Sequence, residues 1–113
     1  MKKEFMVQKQ SDFDLIINKG KKVKGEITSI YYYPSENNKK YFGFAVSKKI
    51  GNAVIRNRIK RKLRMIVHNN ENLFSNNYKY IIMINRNCFD YSHEQWNKDM
   101  INNLERINNN EKI

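Results

Sequence analysis

The sequence has few of the residues that most enzyme and metal sites require. Its 113 residues include one cysteine, one proline and two histidines. The single cysteine, Cys88, excludes an intramolecular disulfide and indicates a reducing compartment, so we expect a cytoplasmic protein. The sequence has no run of about 20 apolar residues, and its N-terminus has no apolar signal core. We therefore expect no membrane span and no membrane partner.

Acidic residues are missing from the middle of the chain. No Asp or Glu occurs between Glu36 and Glu71, whereas ten Lys and Arg residues do. That interval carries ten of the eleven net positive charges, because residues 1–36 contribute +2 and residues 65–113 contribute −1. Four of the six arginines occur within nine residues, and arginine grips phosphate oxygens with a planar, bidentate fork. This local positive charge predicts a polyphosphate partner, RNA or DNA.

A nuclease that works alone needs metal-binding carboxylates or a histidine pair beside the bound phosphate. The two histidines, His68 and His93, lie in different predicted helices, and Asp12 and Asp14 diverge on a helix. Glycine-rich phosphate loops and zinc-ligand spacings are also missing from the sequence. No spacing pairs Cys88 with a histidine as a nucleophile, and we interpret it as a part-buried structural residue. We therefore predict a nucleic-acid-binding protein without catalytic residues or a metal site of its own.

The residue pattern predicts an α+β fold in a single domain over residues 1–113, with residues 1–10 loosely held. The expected helices are one capped by Ser11 and ending at Gly20, one capped by Asn52 over about Ala53–His68, and one capped by Ser92 and ending near Asn108. The expected strands are Glu26–Tyr33, Tyr41–Val46 and a central strand, Tyr78–Ile84.

Two features of the sequence are each compatible with two interpretations. The basic cluster Lys21–Lys24 is either a solvated loop or an RNA contact. Phe13 is either a core residue or a platform on which a base stacks.

The second predicted helix has one apolar and one cationic side. Ile55, Ile59, Leu63 and Ile66 follow the spacing of a buried stripe. The opposite side carries hydrogen-bond donors, which are Asn57, Lys60, Arg61, Arg64 and His68. We expect the apolar side to pack on the sheet and the helix N-terminus to favour phosphate.

The segment SKKIGNAVIRNRIKRKLR, Ser47–Arg64, resembles the protein subunit of bacterial ribonuclease P. The family signature is a lysine-rich strand end, a Gly-Asn turn and then Ala-Val-x-Arg-Asn-Arg/Lys-x-Lys-Arg-x-x-Arg. This chain matches every one of those positions. A weaker resemblance covers nearly the whole chain, and SDFDLIINKG is similar to the first helix of the family.

The resemblance implies a function in tRNA processing. In this family a catalytic RNA removes the 5′ leader of precursor tRNA, with Mg²⁺ held mainly by the RNA subunit and the substrate. The protein is a non-catalytic part of this endonuclease, a hydrolase and a ribonucleoprotein. Its implied partners are ribonuclease P RNA and precursor tRNA, with no obligate protein partner.

The resemblance also implies site residues by position. Those implied for the RNA subunit are Lys48, Lys49, Asn52, Arg56, Asn57, Arg58, Arg61 and Arg64. Those implied for the leader, in a cleft between the first helix and the sheet, are Phe13, Ile17, Tyr31 and Lys60. The implied fold is a two-layer sandwich of a small, mostly antiparallel sheet and three helices. It resembles a ribosomal-protein fold and contains a left-handed βαβ crossover.

The chain departs from the family pattern at three places. Ile17 replaces a second aromatic residue, Gly25-Glu26 replaces Asn-Arg, and Thr28 replaces an apolar aromatic. We therefore expect an intact face for the RNA subunit and a looser leader cleft.

Three other functions would account for parts of the sequence less well. A free-standing or ribosome-associated RNA-binding protein would use the same helix on ribosomal RNA. A DNA-binding protein with this helix in a major groove would need a helix just before it, where the sequence predicts a strand. A nuclease that acts without RNA ranks last because ligands for a metal are missing.

Overall fold

A computed structural model describes residues 5–7 and 9–111 of the chain. The main elements in this part are α1 (Gln10–Lys19), β1 (Lys21–Lys24), β2 (Thr28–Pro34), β3 (Tyr41–Ala45), α2 (Ala53–Asn69), β4 (Tyr78–Ile84) and α3 (His93–Asn110). Short 3₁₀ turns occur at Lys48–Ile50, Glu71–Leu73 and Cys88–Asp90.

The four strands form one mixed sheet in the order β1-β2-β4-β3. The pairs β1–β2 and β2–β4 are antiparallel, whereas β3 and β4 are parallel. The prediction that Tyr78–Ile84 forms a central strand is confirmed. A parallel pair requires a crossover connection, which α2 supplies. The left-handed sense of this crossover stays a prediction.

One face of the sheet, here called the core face, packs against α2 and α3. Strand alternation places on it the buried residues Val23, Ile30, Tyr32, Phe42, Phe44, Tyr80, Ile82 and Ile84. They are joined in one cluster by the buried helix residues Ile59, Leu63, Ile66, Val67, Trp96, Met100, Leu104 and Ile107. The sheet with these two helices is the expected two-layer sandwich. Of the predicted apolar stripe of α2, only Ile55 is half-buried rather than buried.

Tyr80 on β4 ties the loop after α2 to the sheet. Its hydroxyl oxygen accepts the backbone N–H of Ser75 at 2.9 Å, and its ring centroid lies 4.9 Å from that of Phe74. Burial raises the pKa of Tyr80 to about 12. The neutral phenol therefore belongs to the core and not to a site of acid–base chemistry.

The other face, here called the open face, carries Tyr31, Tyr33, Gly43, Ile81 and Met83, and α1 lies across part of it. The Phe13 ring of α1 lies directly on Gly43, where an added Cβ would come within 2.7 Å of Phe13 Cε2. Glycine at this position thus allows the helix to approach the sheet. Ile81 is fully buried, so α1 closes this part of the open face.

The predicted start of the first helix is wrong. The helix begins at Gln10 with Lys9 as its N-cap residue, and the Lys9 side chain does not cap it. Tertiary pairing decides the start, because Met6 bridges to Phe42 and the Val7 N–H donates to the Phe42 carbonyl at 2.8 Å. Ser11 therefore lies inside the first turn. Of the segment predicted to be loosely held, residues 1–4 and 8 lie outside the described residues.

The end of this helix at Lys19 and Gly20 is predicted correctly. Gly20 does not end the helix as a left-handed cap, because its φ is an ordinary −75°. A Cβ there would lie 2.7 Å from the Tyr32 carbonyl oxygen of β2, so the chain needs glycine to enter the sheet.

The loop interpretation of Lys21–Lys24 is also wrong. These residues form the edge strand β1, which pairs with Ser29–Tyr32 of β2. The next strand begins at Thr28 rather than Glu26, because Asp99 of α3 accepts the backbone N–H groups of Glu26 (3.0 Å) and Thr28 (2.8 Å). Residues 25–27 are thereby held as a turn.

Alanine substitutions at Ser92 and at Ser11 test which of these two serines caps a helix. Ser92 and Gln95 form a capping box at α3, in which the Ser92 Oγ accepts the Gln95 N–H at 3.2 Å. We expect Ser92→Ala to lower the free energy of unfolding by about 1 kcal/mol. The matched variant Ser11→Ala should change it by less than about 0.5 kcal/mol. Urea unfolding of both variants measures this, and equal losses would contradict the observed start of α1.

Candidate nucleic-acid interface

The turn before α2 is rigidly built. Ser47 Oγ accepts the Lys49 N–H at 3.2 Å, and Asn52 Oδ1 accepts the Ile55 N–H at 3.0 Å. The first bond begins the 3₁₀ turn Lys48–Ile50 and the second begins the helix, which confirms Asn52 as the cap. The exposed Lys48 and Lys49 are thus held next to the positive end of the helix dipole.

The residues of this turn and of the outer side of α2 form one surface, here called the basic face. Its members are Lys48, Lys49, Asn52, Arg56, Asn57, Arg58, Arg61 and Arg64, and all except the half-buried Arg56 are exposed. Ile59 and Leu63, on the opposite side of the helix, are buried in the core. One helix therefore both closes the core and presents its cations to solvent.

The basic face has no internal neutralisation. Among the described residues, every side-chain ion pair involves other cations, namely Lys21, Lys40, His68, Lys79 and Lys98. The first acid after the basic run, Glu71, lies 3.9 Å from His68 Nδ1 at the far end of α2. The face is therefore a sustained positive surface that an anionic polymer can neutralise.

Arg56, Lys60 and Arg64 follow one another at four-residue spacing on the flank of α2 nearest β3. The Arg64 guanidinium lies 5.8 Å from the Phe44 ring centroid. Arg56 Nε is buried and has no hydrogen-bond partner among the described residues. A buried donor without an acceptor costs about 1–3 kcal/mol, so this guanidinium is poorly satisfied by the protein alone.

Lys62 has a different role from its neighbours. Its Nζ lies 3.9 Å from the Trp96 ring centroid on α3, and burial lowers its pKa. The Trp96 indole N–H in turn donates to the Cys88 carbonyl at 3.1 Å. Lys62 therefore stabilises the contact between α2 and α3, and the sequence signal for this is its position three residues after the buried Ile59.

The structure brings together three of the four residues implied for the leader. Phe13 and Ile17, one turn apart on α1, and Tyr31 on β2 are all half-buried on the open-face side of the sheet. Lys60 lies on α2, which packs against the core face. It is therefore separated from the other three by the sheet and reaches that side only around the β3 edge.

Sequence reasoning placed Lys22 of the open face in a cluster with two interpretations and missed Lys79. Lys22 Nζ lies 5.2 Å from the Tyr31 ring centroid, and Lys79 Nζ lies 5.8 Å from that of Tyr41. Because Lys21–Lys24 is a strand, alternation assigns each of its lysines to one face of the sheet, and Lys22 lies on the open face.

The described residues contain no cluster of three or more His, Cys, Asp or Glu side chains that could hold a metal ion. No helix of the described residues is long and apolar enough to cross a membrane.

Comparisons with known proteins agree with this geometry. The ribonuclease P family model matches residues 1–108. The ribonuclease P protein component of Streptococcus agalactiae is 33% identical over 104 residues, covering 92% of this chain and 94% of that protein. That of Mycoplasma mycoides is 33% identical over 108 residues, covering 95% and 99%.

Solved structures give the same result. The RNase P protein of Staphylococcus aureus has a TM-score of 0.81 at 27% identity, covering 91% of this chain and 94% of that one. The Thermotoga maritima protein has a TM-score of 0.81 at 22% identity, covering 89% and 96%, and supports the fold alone.

The contact of Phe13 with Gly43 predicts a non-additive pair of substitutions. Gly43→Ala would push its new methyl group against the Phe13 ring and should lower the free energy of unfolding by about 1–3 kcal/mol. In a Phe13→Ala background the same change should cost much less, because the obstructing ring is gone. Urea unfolding of the four proteins measures the coupling, and additive losses would place Phe13 elsewhere.

Proposed function

The chain belongs to the ribonuclease P protein family, and we propose that it is the non-catalytic subunit that binds both the RNA subunit and the 5′ leader of precursor tRNA. Membership of the family supports a role in the enzyme of tRNA 5′ processing. The single observation that carries RNA binding is the basic face, whose exposed cations have no acidic partners among the described residues.

The basic face is proposed to bind the RNA subunit. Its arginines can pair with phosphate oxygens bidentately, and the Asn52-capped end of α2 adds backbone donors and a positive dipole. The rigid turn holds Lys48 and Lys49 at this same end. Each phosphate contact releases counterions, so binding should depend strongly on salt.

The open face is proposed to bind the leader through Phe13, Ile17 and Tyr31, with Lys60 contributing from the β3 edge. Aromatic rings stack on any base, so such a surface accepts leaders of different sequence. Ile17 offers apolar contact where a second ring would stack, which makes this cleft looser. Mature tRNA has no leader, so this surface would favour the precursor over the product.

The chemistry is assigned to the RNA subunit. Mg²⁺ is proposed to be held mainly by that RNA and the substrate, where it activates the attacking water and stabilises developing charge. The protein residues supply binding and orientation. Because the basic face and the open face lie on opposite sides of the sheet, one small protein can contact both RNAs at once. We place this particle in the cytoplasm.

Reconstitution tests the proposal directly. The protein is mixed with a bacterial ribonuclease P RNA and a precursor tRNA at low Mg²⁺, and leader release is followed. Cleavage that needs both the RNA and the protein supports the proposal. Tight RNA binding without stimulation would favour a ribosome-associated protein, and cleavage without the RNA would mean that the protein has its own active site.

The pair Arg56→Ala with Arg61→Ala should weaken binding of the RNA subunit. Removing two phosphate contacts should reduce the slope of log affinity against log salt by about two. Lys21→Ala with Lys98→Ala is the matched control, because it removes two cations that lie outside the basic face. Filter binding from low to high salt measures both slopes, and an unchanged slope for the arginine pair would refute its assignment.

Phe13→Ala should weaken binding of precursor tRNA by the holoenzyme by about 10-fold and leave mature tRNA binding unchanged, since stacking on one base contributes about 1–3 kcal/mol. Equilibrium binding of both tRNAs measures this. Equal losses for precursor and product would identify Phe13 as a packing residue only.

A further inference from the structure

The edge strand β1 divides its three lysines between the two faces of the sheet. Val23 is buried in the core, and Lys21 on the same face pairs with Glu111 after α3, with 2.6 Å between Nζ and Oε1. This hydrogen bond raises the pKa of Lys21. Lys22 and Lys24 alternate to the open face, and Lys22 lies over the Tyr31 ring.

Strand register places Lys22 at the end of a row that crosses the whole sheet. Lys22 pairs with Tyr31, Tyr31 pairs with Ile81, and Ile81 pairs with Gly43. The row therefore begins under Phe13 of α1, passes the Tyr31 ring and ends at the Lys22 ammonium group. Three inter-strand steps of about 4.8 Å make it roughly 14 Å long.

From this row we infer that Lys22, assisted by Lys24, binds phosphates of a single-stranded RNA segment that crosses the open face from α1 to the β1 edge. The inference rests on the proposed function and identifies the segment as leader of precursor tRNA. An RNA-binding surface combines rings that stack bases with cations that follow the backbone, and this row contains both in sequence. Because Gly43 and Ile81 are buried beneath α1, the accessible part of the row is the inter-strand step of about 4.8 Å from Tyr31 to Lys22.

The charge environment supports Lys22 as the phosphate ligand. Among the described residues Lys22 has no carboxylate partner, and its recorded neighbour is the Tyr31 ring. The strand itself is held firmly, because the Arg106 guanidinium donates to the Lys24 carbonyl at 2.9 Å. Edge-strand lysines also discourage aggregation. That role alone would give Lys21 and Lys22 equal importance, which makes Lys21 a matched control.

The test compares Lys22→Gln with Lys21→Gln in the reconstituted holoenzyme, with precursor and mature tRNA as ligands. The two substitutions remove the same charge one residue apart. Lys22→Gln should weaken precursor binding about fivefold at 0.1 M salt and lower the salt slope by about 0.7, as expected for one single-strand phosphate. Lys21→Gln should change neither, and mature tRNA binding should be unchanged in both.

Four outcomes would overturn the inference. The first is no loss of precursor binding for Lys22→Gln, and the second is an equal loss for Lys21→Gln and Lys22→Gln. The third is an equal loss for precursor and mature tRNA. The fourth is a loss with an unchanged salt slope, which would make Lys22 only a support for the Tyr31 ring. Tyr31→Ala distinguishes the inference from its premise. If that change weakens precursor binding and Lys22→Gln does not, the leader stops at Tyr31 and only the inference fails. If Tyr31→Ala and Phe13→Ala both leave precursor binding intact, the proposed leader site itself fails.

Discussion

The burial of β4 on both faces is the constraint on which the other features depend. Tyr80, Ile81 and Ile82 are fully buried in succession, so helices must cover both sides of this strand. Its antiparallel partner β2 and its parallel partner β3 also fix the chain path, because a parallel neighbour must be reached by a crossover. That crossover is α2, which carries the basic face. The helix on the other side is α1, which forms one wall of the open face.

Electrostatic context decides what each cation does. Among the described residues, the exposed arginines of α2 form no ion pair with an acid, so their mutual repulsion remains until an anion binds. Lys62 on the same helix is instead partly desolvated over Trp96 and contributes to packing. On β1, Lys21 is paired with Glu111 whereas Lys22 faces an aromatic ring. The number of positive charges therefore indicates the kind of partner. Which cations are free to bind that partner depends on the side chains around each of them.

The close contact of α1 with the sheet links stability to the open face. Gly43 allows the Phe13 ring to lie directly on β3, and Gly20 allows the chain to pass from α1 into β1. The packing of Phe13 on the sheet is confirmed by its contact with Gly43, whereas base stacking on its half-buried ring stays a prediction. A ring that is held in this way loses little conformational freedom when a base stacks on it.

The sequence by itself determined the features that depend on residues close together along the chain. Periodicity and capping predicted α2, the Ser92 cap and β4, and the dense motif over Ser47–Arg64 predicted the family. Tertiary structure decided where α1 begins, because the pairing of Met6 and Val7 with Phe42 replaces the Ser11 cap. It also decided that Lys21–Lys24 is a strand, that Lys60 lies across the sheet from Phe13, and that Lys62 packs on Trp96. Each of these depends on which distant strand or helix is adjacent, and spacing along the chain carries no information about that.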